Sequence, residues 1–390
     1  MLLLAAIAYF FLVSRSYDLD LVVYRSAISW WWNGHDPYHH LYSIHHLAFT
    51  YPPFALLALG PVAAVPAELA KFLWFLVSLA AVTVSLFIVF KSLRWRGWRG
   101  SLDLWLVAAA LSCAALFVIE PVRSTFDYGQ VNAVILVACL FDTLWPKFRW
   151  RGVLVGLTAA IKLTPVIFVL FFAIERDVRA FVRSAVAFVA ATGLAWLVLP
   201  GPSHEFWTKF VWEPERTGKL SYPGNLSWDA VSVRIELSSA DTRYLWAGLA
   251  MMTLVVGVVA ASRCVKAGSE VGGVLMVAIT GLLVSPVSWS HHWIWMVLIV
   301  PLLLSPNELH RNVRVALVGL LALVVLAPYW WFAPGWLAST AEAITPIWAF
   351  VVLSVTAASA QRSGTMSTED KVASPPQSVH EASPADAGAA

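Results

Sequence analysis

Two carboxylates sit where this chain could first do chemistry. Asp18 and Asp20 lie between Tyr17 and Tyr24, directly after an apolar run from Leu2 to Val13. An acid at the mouth of a hydrophobic helix can stay ionised yet reach a substrate lying in lipid; equally, such acids can mark only where a helix leaves the bilayer. Lys162 stands in an apolar run, 152–174, where a charge costs about 2.5–3.5 kcal/mol on insertion scales. It must face a wet cavity or an anion, or else snorkel outward. Gln130 and Asn132 follow Glu120-Pro121-Val122-Arg123 at the start of a span. They suit either a polar ligand or helix-end backbone bonds. His291 and His292 belong to a polar island from Ser285 to Trp293. Neighbouring side chains on a helix diverge by about 100°, whereas joint metal ligation on a helix favours i, i+4 spacing. One histidine therefore suits phosphate or sugar recognition and the other a structural role, with no metal and no cofactor expected.

A membrane must position these groups. The 390-residue chain is 59% hydrophobic and 13% charged, with 21 Trp and 21 Phe, and its mean hydropathy is +0.73. A span takes about 20 apolar residues. Inside hydrocarbon every backbone group must be paired, and runs this long and apolar select helices over a barrel. The expected fold is an all-α polytopic membrane protein. Spans are expected at roughly 70–90, 102–120, 130–145, 183–199, 244–262, 272–285, 292–305, 313–331 and 344–360. Between them, Lys162-Leu163-Thr164-Pro165 breaks the 152–174 run into two short helices that turn back. The Leu2–Val13 run is short for a span and lacks the features of a signal peptide, so it is expected to be the remainder of a longer first helix. The tail from Gln361 is rich in Ser, Pro, Ala and Gly and is expected to be disordered.

Charge gives an orientation. Lys91 to Arg99, Lys147 to Arg151, Arg176 to Arg183, Arg263 with Lys266, and Arg311 with Arg314 form five basic connectors. They share one side only if 152–174 goes out and comes back, and the positive-inside rule makes that side cytoplasmic. The chemistry-bearing residues then gather on the extracytoplasmic face. The net charge of +3 is spread among loops and argues against nucleic acid as a partner. Cys113, Cys139 and Cys264 have no CxxC spacing and read as small core hydrophobes.

Six motifs occur in a recognisable order: Asp20-Leu21-Val22-Val23-Tyr24, Gly34-His35-Asp36-Pro37-Tyr38, Tyr51-Pro52-Pro53-Phe54, Gly129-Gln130-Val131-Asn132, Lys162-Leu163-Thr164-Pro165, and Ser285 to His292. Through them the chain resembles glycosyltransferase family 87, the polyprenyl-phosphate-mannose-dependent α-(1→2)-mannosyltransferases of actinobacteria. The likeness covers most of residues 17–300. It implies a GT-C-like bundle of about 11–12 transmembrane helices over residues 1–360, followed by a cytoplasmic tail over 361–390. It implies a polyprenyl-phosphate-mannose donor, membrane lipids as surroundings, and a mannosylated glycolipid acceptor: a phosphatidylinositol mannoside, lipomannan or lipoarabinomannan. The family's first-loop aspartate, a catalytic base, lands on Asp20 rather than Asp18. Its late histidine lands on the His291/His292 pair, with His292 favoured. Asp18, Tyr24, Arg123, Gln130, Asn132, Lys162, His291 and His292 are then the candidate donor and acceptor contacts.

The resemblance also sets the expected chemistry. A polyprenyl monophosphate leaving group can be neutralised by Lys, Arg and His without a divalent ion. Inverting a β-linked donor gives an α product in one displacement with one base. The rival readings are a transporter or flippase of a lipid-linked sugar, which the break at Lys162 would suit, and a GT-C enzyme transferring another sugar such as arabinose or glucose. Polar residues gathered on one face of the plasma membrane, rather than at the midplane, weigh against the transporter.

Overall fold

The computed structural model describes residues 2–12, 19–43, 45–93, 101–235, 238–333 and 335–359. Asp18 and the tail expected to be disordered lie outside the described residues. Within them the chain is helical apart from one two-stranded hairpin. The first part holds α1 (Leu2–Leu12), α2 (Leu19–Trp32), β1 (Leu41–Tyr42), β2 (Leu47–Ala48), α3 (Phe54–Ala58) and α4 (Gly60–Ala63). The middle holds α5 (Ala67–Ser92), α6 (Ser101–Val118), α7 (Glu120–Asp127), α8 (Asn132–Leu144), α9 (Val153–Ile161), α10 (Val169–Glu175), α11 (Val178–Val198) and α12 (Pro200–Thr208). The last part holds α13 (Trp228–Arg234), α14 (Ser239–Lys266), α15 (Glu270–Val284), α16 (Ile299–Leu304), α17 (Arg311–Leu326) and α18 (Trp336–Ala358).

Among the described residues five helical stretches are long and apolar enough to cross a membrane alone: α5, α11, α14, α18, and Arg311–Trp330, which contains α17. The pair α6 and α7 makes a sixth, bent by 87°. The bend has a local cause. Ile119 is extended, at φ −96° and ψ 107°, and Pro121 has no N–H with which to continue the ladder of α6. Three runs that hydropathy reads as whole spans are shorter pieces: Asn132–Leu144, Glu270–Val284 and Ser290–Leu304. The long helices are therefore fewer than the expected 11–12 spans. Hydropathy sums apolar character without locating helix ends, and α15 stops where Ser285 turns extended ahead of Pro286.

The run 152–174 does go out and return. A Cβ at Gly156 would stand 2.2 Å from the Ser184 carbonyl oxygen, and one at Gly152 would stand 2.1 Å from that of Ala180. Only glycine lets α9 lie this close to α11, as in small-residue membrane packing. The register Gly152–Ala180, Gly156–Ser184 also means that α9 and α11 start from the same end and run the same way. After α9, Lys162 is extended, a 3-10 turn covers Thr164–Phe168, and α10 leads back. Arg151 closes the feet of this hairpin, pairing with Asp177 at 3.0 Å and with Glu175. Lys162 is left at the apex.

The long helices share a polarity. Lys91 ends α5, Arg263 and Lys266 end α14, and Arg311 and Arg314 begin α17. At the opposite ends of these and neighbouring helices stand residues 199–217 after α11, Ser285–His292 after α15, and Tyr329 and Trp330 after α17. The basic connectors and the polar loops thus sit at opposite ends of the bundle.

Candidate active site

The chemistry-bearing residues meet in a cavity of about 230 Å³, whose walls include Asp20, Tyr24, Tyr51, Gln130, Lys162 and His292. Asp20 comes from the first turn of α2. Its backbone N–H and that of Leu21 donate to the Tyr128 carbonyl oxygen at 2.9 and 3.2 Å. That docking requires glycine at 129, which has φ +64° and where a Cβ would stand 2.6 Å from Leu21 Cβ. The Gly-Gln pair of the motif therefore works as a unit: Gly129 lets α2 approach, and Gln130 meets its carboxylate. Gln130 Oε1 accepts from Tyr51 OH at 2.9 Å and from Tyr24 OH at 3.1 Å. With its oxygen so engaged, its amide N–H is what remains to bond the Asp20 carboxylate.

Asp20 as a residue is half-buried toward the cavity, but its carboxyl is deep among protein atoms. Burial pushes it up to about 6, against the lowering influence of the Gln130 bond and of the Lys162 charge. An acid with that value is ionised at neutral pH and still basic enough to take a proton.

Opposite the acid, Lys162 Nζ donates to Asn132 Oδ1 at 2.9 Å and stands 2.9 Å from His292 Nε2. An ammonium has only donors, so this contact makes Nε2 the acceptor and puts the imidazole proton on Nδ1. Asn132 uses its other end to donate from Nδ2 to the His291 carbonyl oxygen at 3.0 Å, and Thr125 Oγ1 donates to the same oxygen at 3.1 Å. The helix end of α8, the hairpin apex and the segment after α15 are thereby held to one another.

The segment Ser290–Leu298 is a 3-10 helix, and on it the two histidine rings stand edge to face, with centroids 4.7 Å apart. His292 faces the cavity. His291 is buried, with its ring edge-on to Tyr128 at 5.5 Å and its carbonyl as the anchor. Behind it is a second buried acid. Glu120 Oε1 accepts from Ser290 Oγ at 3.0 Å, from Trp330 Nε1 at 3.1 Å and from Ser124; Oε2 accepts from Tyr329 OH at 2.6 Å. Arg123 is not among the cavity's lining residues and lies within charge range of Asp127 and Tyr329 instead.

Two wall residues escape sequence reasoning. Tyr51 belongs to one of the six motifs, but only the structure places its hydroxyl on Gln130. Arg216 lies in the long loop after α11 with no periodicity to flag it. Its Nη2 donates to the Tyr38 carbonyl at 2.8 Å, and its guanidinium lies 4.0 Å from the centroid of the Phe210 ring. It brings a second cation to the cavity wall.

A bundle of membrane-crossing helices with an acid, a lysine and a histidine converging on one aromatic-walled cavity fits an integral-membrane glycosyltransferase, and the family match shows that it is one. The Glycosyltransferase family 87 profile matches residues 49–286, and the chain belongs to that family. It is 34% identical over 285 residues, 73% of this chain and 68% of the relative, to the polyprenol-phosphate-mannose-dependent alpha-(1-2)-phosphatidylinositol pentamannoside mannosyltransferase of Mycolicibacterium smegmatis. It is 30% identical over 328 residues, 80% of this chain and 75% of the relative, to the polyprenol-phosphate-mannose-dependent alpha-(1-2)-phosphatidylinositol mannoside mannosyltransferase of Mycobacterium tuberculosis. To the M. smegmatis enzyme of that second name it is 33% identical over 319 residues, 74% of this chain and 70% of the relative. No solved structure matches the chain.

Proposed function

We propose that this protein transfers mannose from polyprenyl-phosphate-mannose to a phosphatidylinositol mannoside, forming an α-(1→2) bond with inversion at the anomeric carbon. The observation that carries this is the cavity's polarity: Asp20 with Gln130 on one wall, Lys162 with His292 on another. The donor and acceptor classes are those in the names of the relatives. The acceptor hydroxyl oxygen attacks the anomeric carbon as the bond from that carbon to the phosphate oxygen breaks. The electron pair leaves on the phosphate, and the hydroxyl proton passes to Asp20. Charge growing on the phosphate is met by the Lys162 ammonium and by Arg216, with His292 holding the lysine in place. A monophosphate so neutralised needs no divalent ion at the reacting carbon.

The basic connectors at the far end of the bundle support an extracytoplasmic cavity in the plasma membrane. The half-buried Trp289 in the cavity wall suits stacking on a sugar face. Purified protein given polyprenyl-phosphate-mannose and phosphatidylinositol mannosides of defined size tests the reading. Linkage analysis should return a new terminal α-(1→2)-mannose, absent with Asp20→Asn. Release of free mannose alone, or a different linkage, would overturn it.

A further inference from the structure

The polar residues at the rim of the cavity hold a feature that the transfer reaction does not use. Asp36, His39 and Glu205 each offer one ligand atom, and these atoms all lie within 4.8 Å of one another. We propose that they form a binding site for a divalent ion of the zinc class, clipping the loop after α2 to helix α12.

The donor set selects the ion. One imidazole nitrogen and two carboxylate oxygens match the ligands of zinc-class ions, with a water completing four positions. Calcium would want six to eight oxygens. His39 Nε2 stands 2.7 Å from Glu205 Oε2, so one proton occupies the line between them. Ligands about 2.0–2.2 Å from zinc in a tetrahedron stand roughly 3.3 Å apart. A small rotation of two side chains opens that gap, and with the imidazole proton moved to Nδ1 the Nε2 lone pair is free to take the ion.

The alternative is a solvent-exposed imidazole–carboxylate contact, which gives at most about 1 kcal/mol and leaves the second oxygen of Asp36 unused. Against it stands the way the ligands are held. Asp36 Oδ1 accepts from the Tyr38 N–H at 2.7 Å, which fixes that carboxylate and leaves its second oxygen available. The backbone around it is clamped from three sides. Tyr42 OH donates to the Pro37 carbonyl at 2.9 Å, Tyr38 OH donates to the Tyr51 carbonyl at 2.7 Å, and Arg216 donates to the Tyr38 carbonyl. Across the gap, Ser203 and Phe206 are buried and fix α12, with Glu205 between them. Among the described residues no lysine or arginine forms an ion pair with either carboxylate. Two acids facing a single imidazole are short of positive charge, and a divalent ion supplies it.

The chain neighbours of the ligands, Tyr38 and Phe206, both line the cavity, with ring centroids 5.7 Å apart. An ion here would hold two pieces of that wall together while staying out of the reaction.

The test uses the full chain in detergent, stripped with chelator and titrated with Zn²⁺ alone, so it stands apart from any activity measurement. Isothermal titration should give saturable one-to-one binding. His39→Ala and Glu205→Gln should each weaken binding at least roughly tenfold, while His45→Ala, in the same loop, should not. Zn²⁺ should raise the thermal unfolding midpoint of the parent and leave both weakened variants unmoved. Their metal-free midpoints should stay close to the parent's, since a contact between a mostly exposed His39 and a half-buried Glu205 gives at most about 1 kcal/mol. Binding that does not saturate, that survives both substitutions, that is lost instead in His45→Ala, or that is matched by Ca²⁺ would overturn the proposal.

Discussion

Two carboxylates, Asp20 and Glu120, stand on either side of the segment that carries His291 and His292, and they are solvated in opposite ways. Glu120 is buried and meets four donors, two hydroxyls of serine, one of tyrosine and an indole N–H. Every lone pair that matters is used, so the group has no capacity left for a substrate. Asp20 meets one amide from Gln130 and faces a cavity. Burial without full hydrogen bonding raises the proton affinity of Asp20, whereas four donors leave Glu120 no free site for a reactant. The pair shows how one protein can use the same functional group as a reagent and as a rivet.

The comparison breaks most directly at Asp20. Asp20→Asn keeps the shape but cannot accept a proton, so transfer should fall by about 10²–10⁴-fold, roughly 3–5 kcal/mol of barrier. The thermal midpoint should stay put; a loss of folding with the loss of activity would make Asp20 a second rivet. Lys162→Met should come next, lowering kcat/KM by about 10²–10³-fold through the lost phosphate contact. Donor binding measured without acceptor should weaken as well. If donor binding were unchanged, the lysine would be serving only Asn132 and His292.

Acidity offers a milder way to sharpen the same contrast. Below the Asp20 value of about 6 the acid is protonated and cannot act as a base. Then kcat/KM should drop about tenfold for each pH unit further down. The residual activity of Asp20→Asn should lack that inflection.

Glu120→Gln should behave differently from all of these. It turns an acceptor into a donor facing donors, at a cost of about 1–3 kcal/mol of stability. Activity assayed well below the unfolding midpoint should fall by less than about tenfold. A large activity loss at unchanged stability would place Glu120 in the chemistry and erase the distinction drawn above. The smallest effect is expected at Asp18→Asn, which should retain most activity; an inverted ranking of the two first-loop acids would move the base to Asp18.

Much of this site is legible in the amino-acid sequence. Asp20, Gln130, Lys162 and His292 are polar residues in apolar surroundings, and such residues in a membrane chain have few reasons to be there except a cavity. The hairpin over 152–174 follows from a lysine and a proline in one apolar run together with the placement of the basic connectors. The rest is decided by backbone geometry. Whether His291 or His292 faces the cavity depends on the 3-10 path of Ser290–Leu298, and residue type carries no trace of it. Glu120 and Arg123 look alike as charged residues near a span, yet one is the hub of a network and the other lies outside the cavity's walls. Arg216 is hidden because a loop has no period. The expected spans are not all matched by long helices among the described residues because an apolar run does not say where its helix stops.

The hairpin with Lys162 at its tip also has a consequence for biogenesis. Nine residues of α9 rise only about 13.5 Å at 1.5 Å each, less than half of a hydrocarbon core about 30 Å thick. Neither arm can therefore be handed to the bilayer as a finished unit while the ribosome is still at work on the middle of the chain. Partners made later complete the hold: α9 packs on α11 as well as on the earlier α3 and α8, and α10 packs on α11, α14 and α15. The lysine's partner Asn132 precedes it, but its contact His292 is synthesised 130 residues after it. Assembly of the catalytic centre is thus a late event of synthesis, and a chain arrested before residue 290 would carry Asp20 but no complete cation wall opposite it.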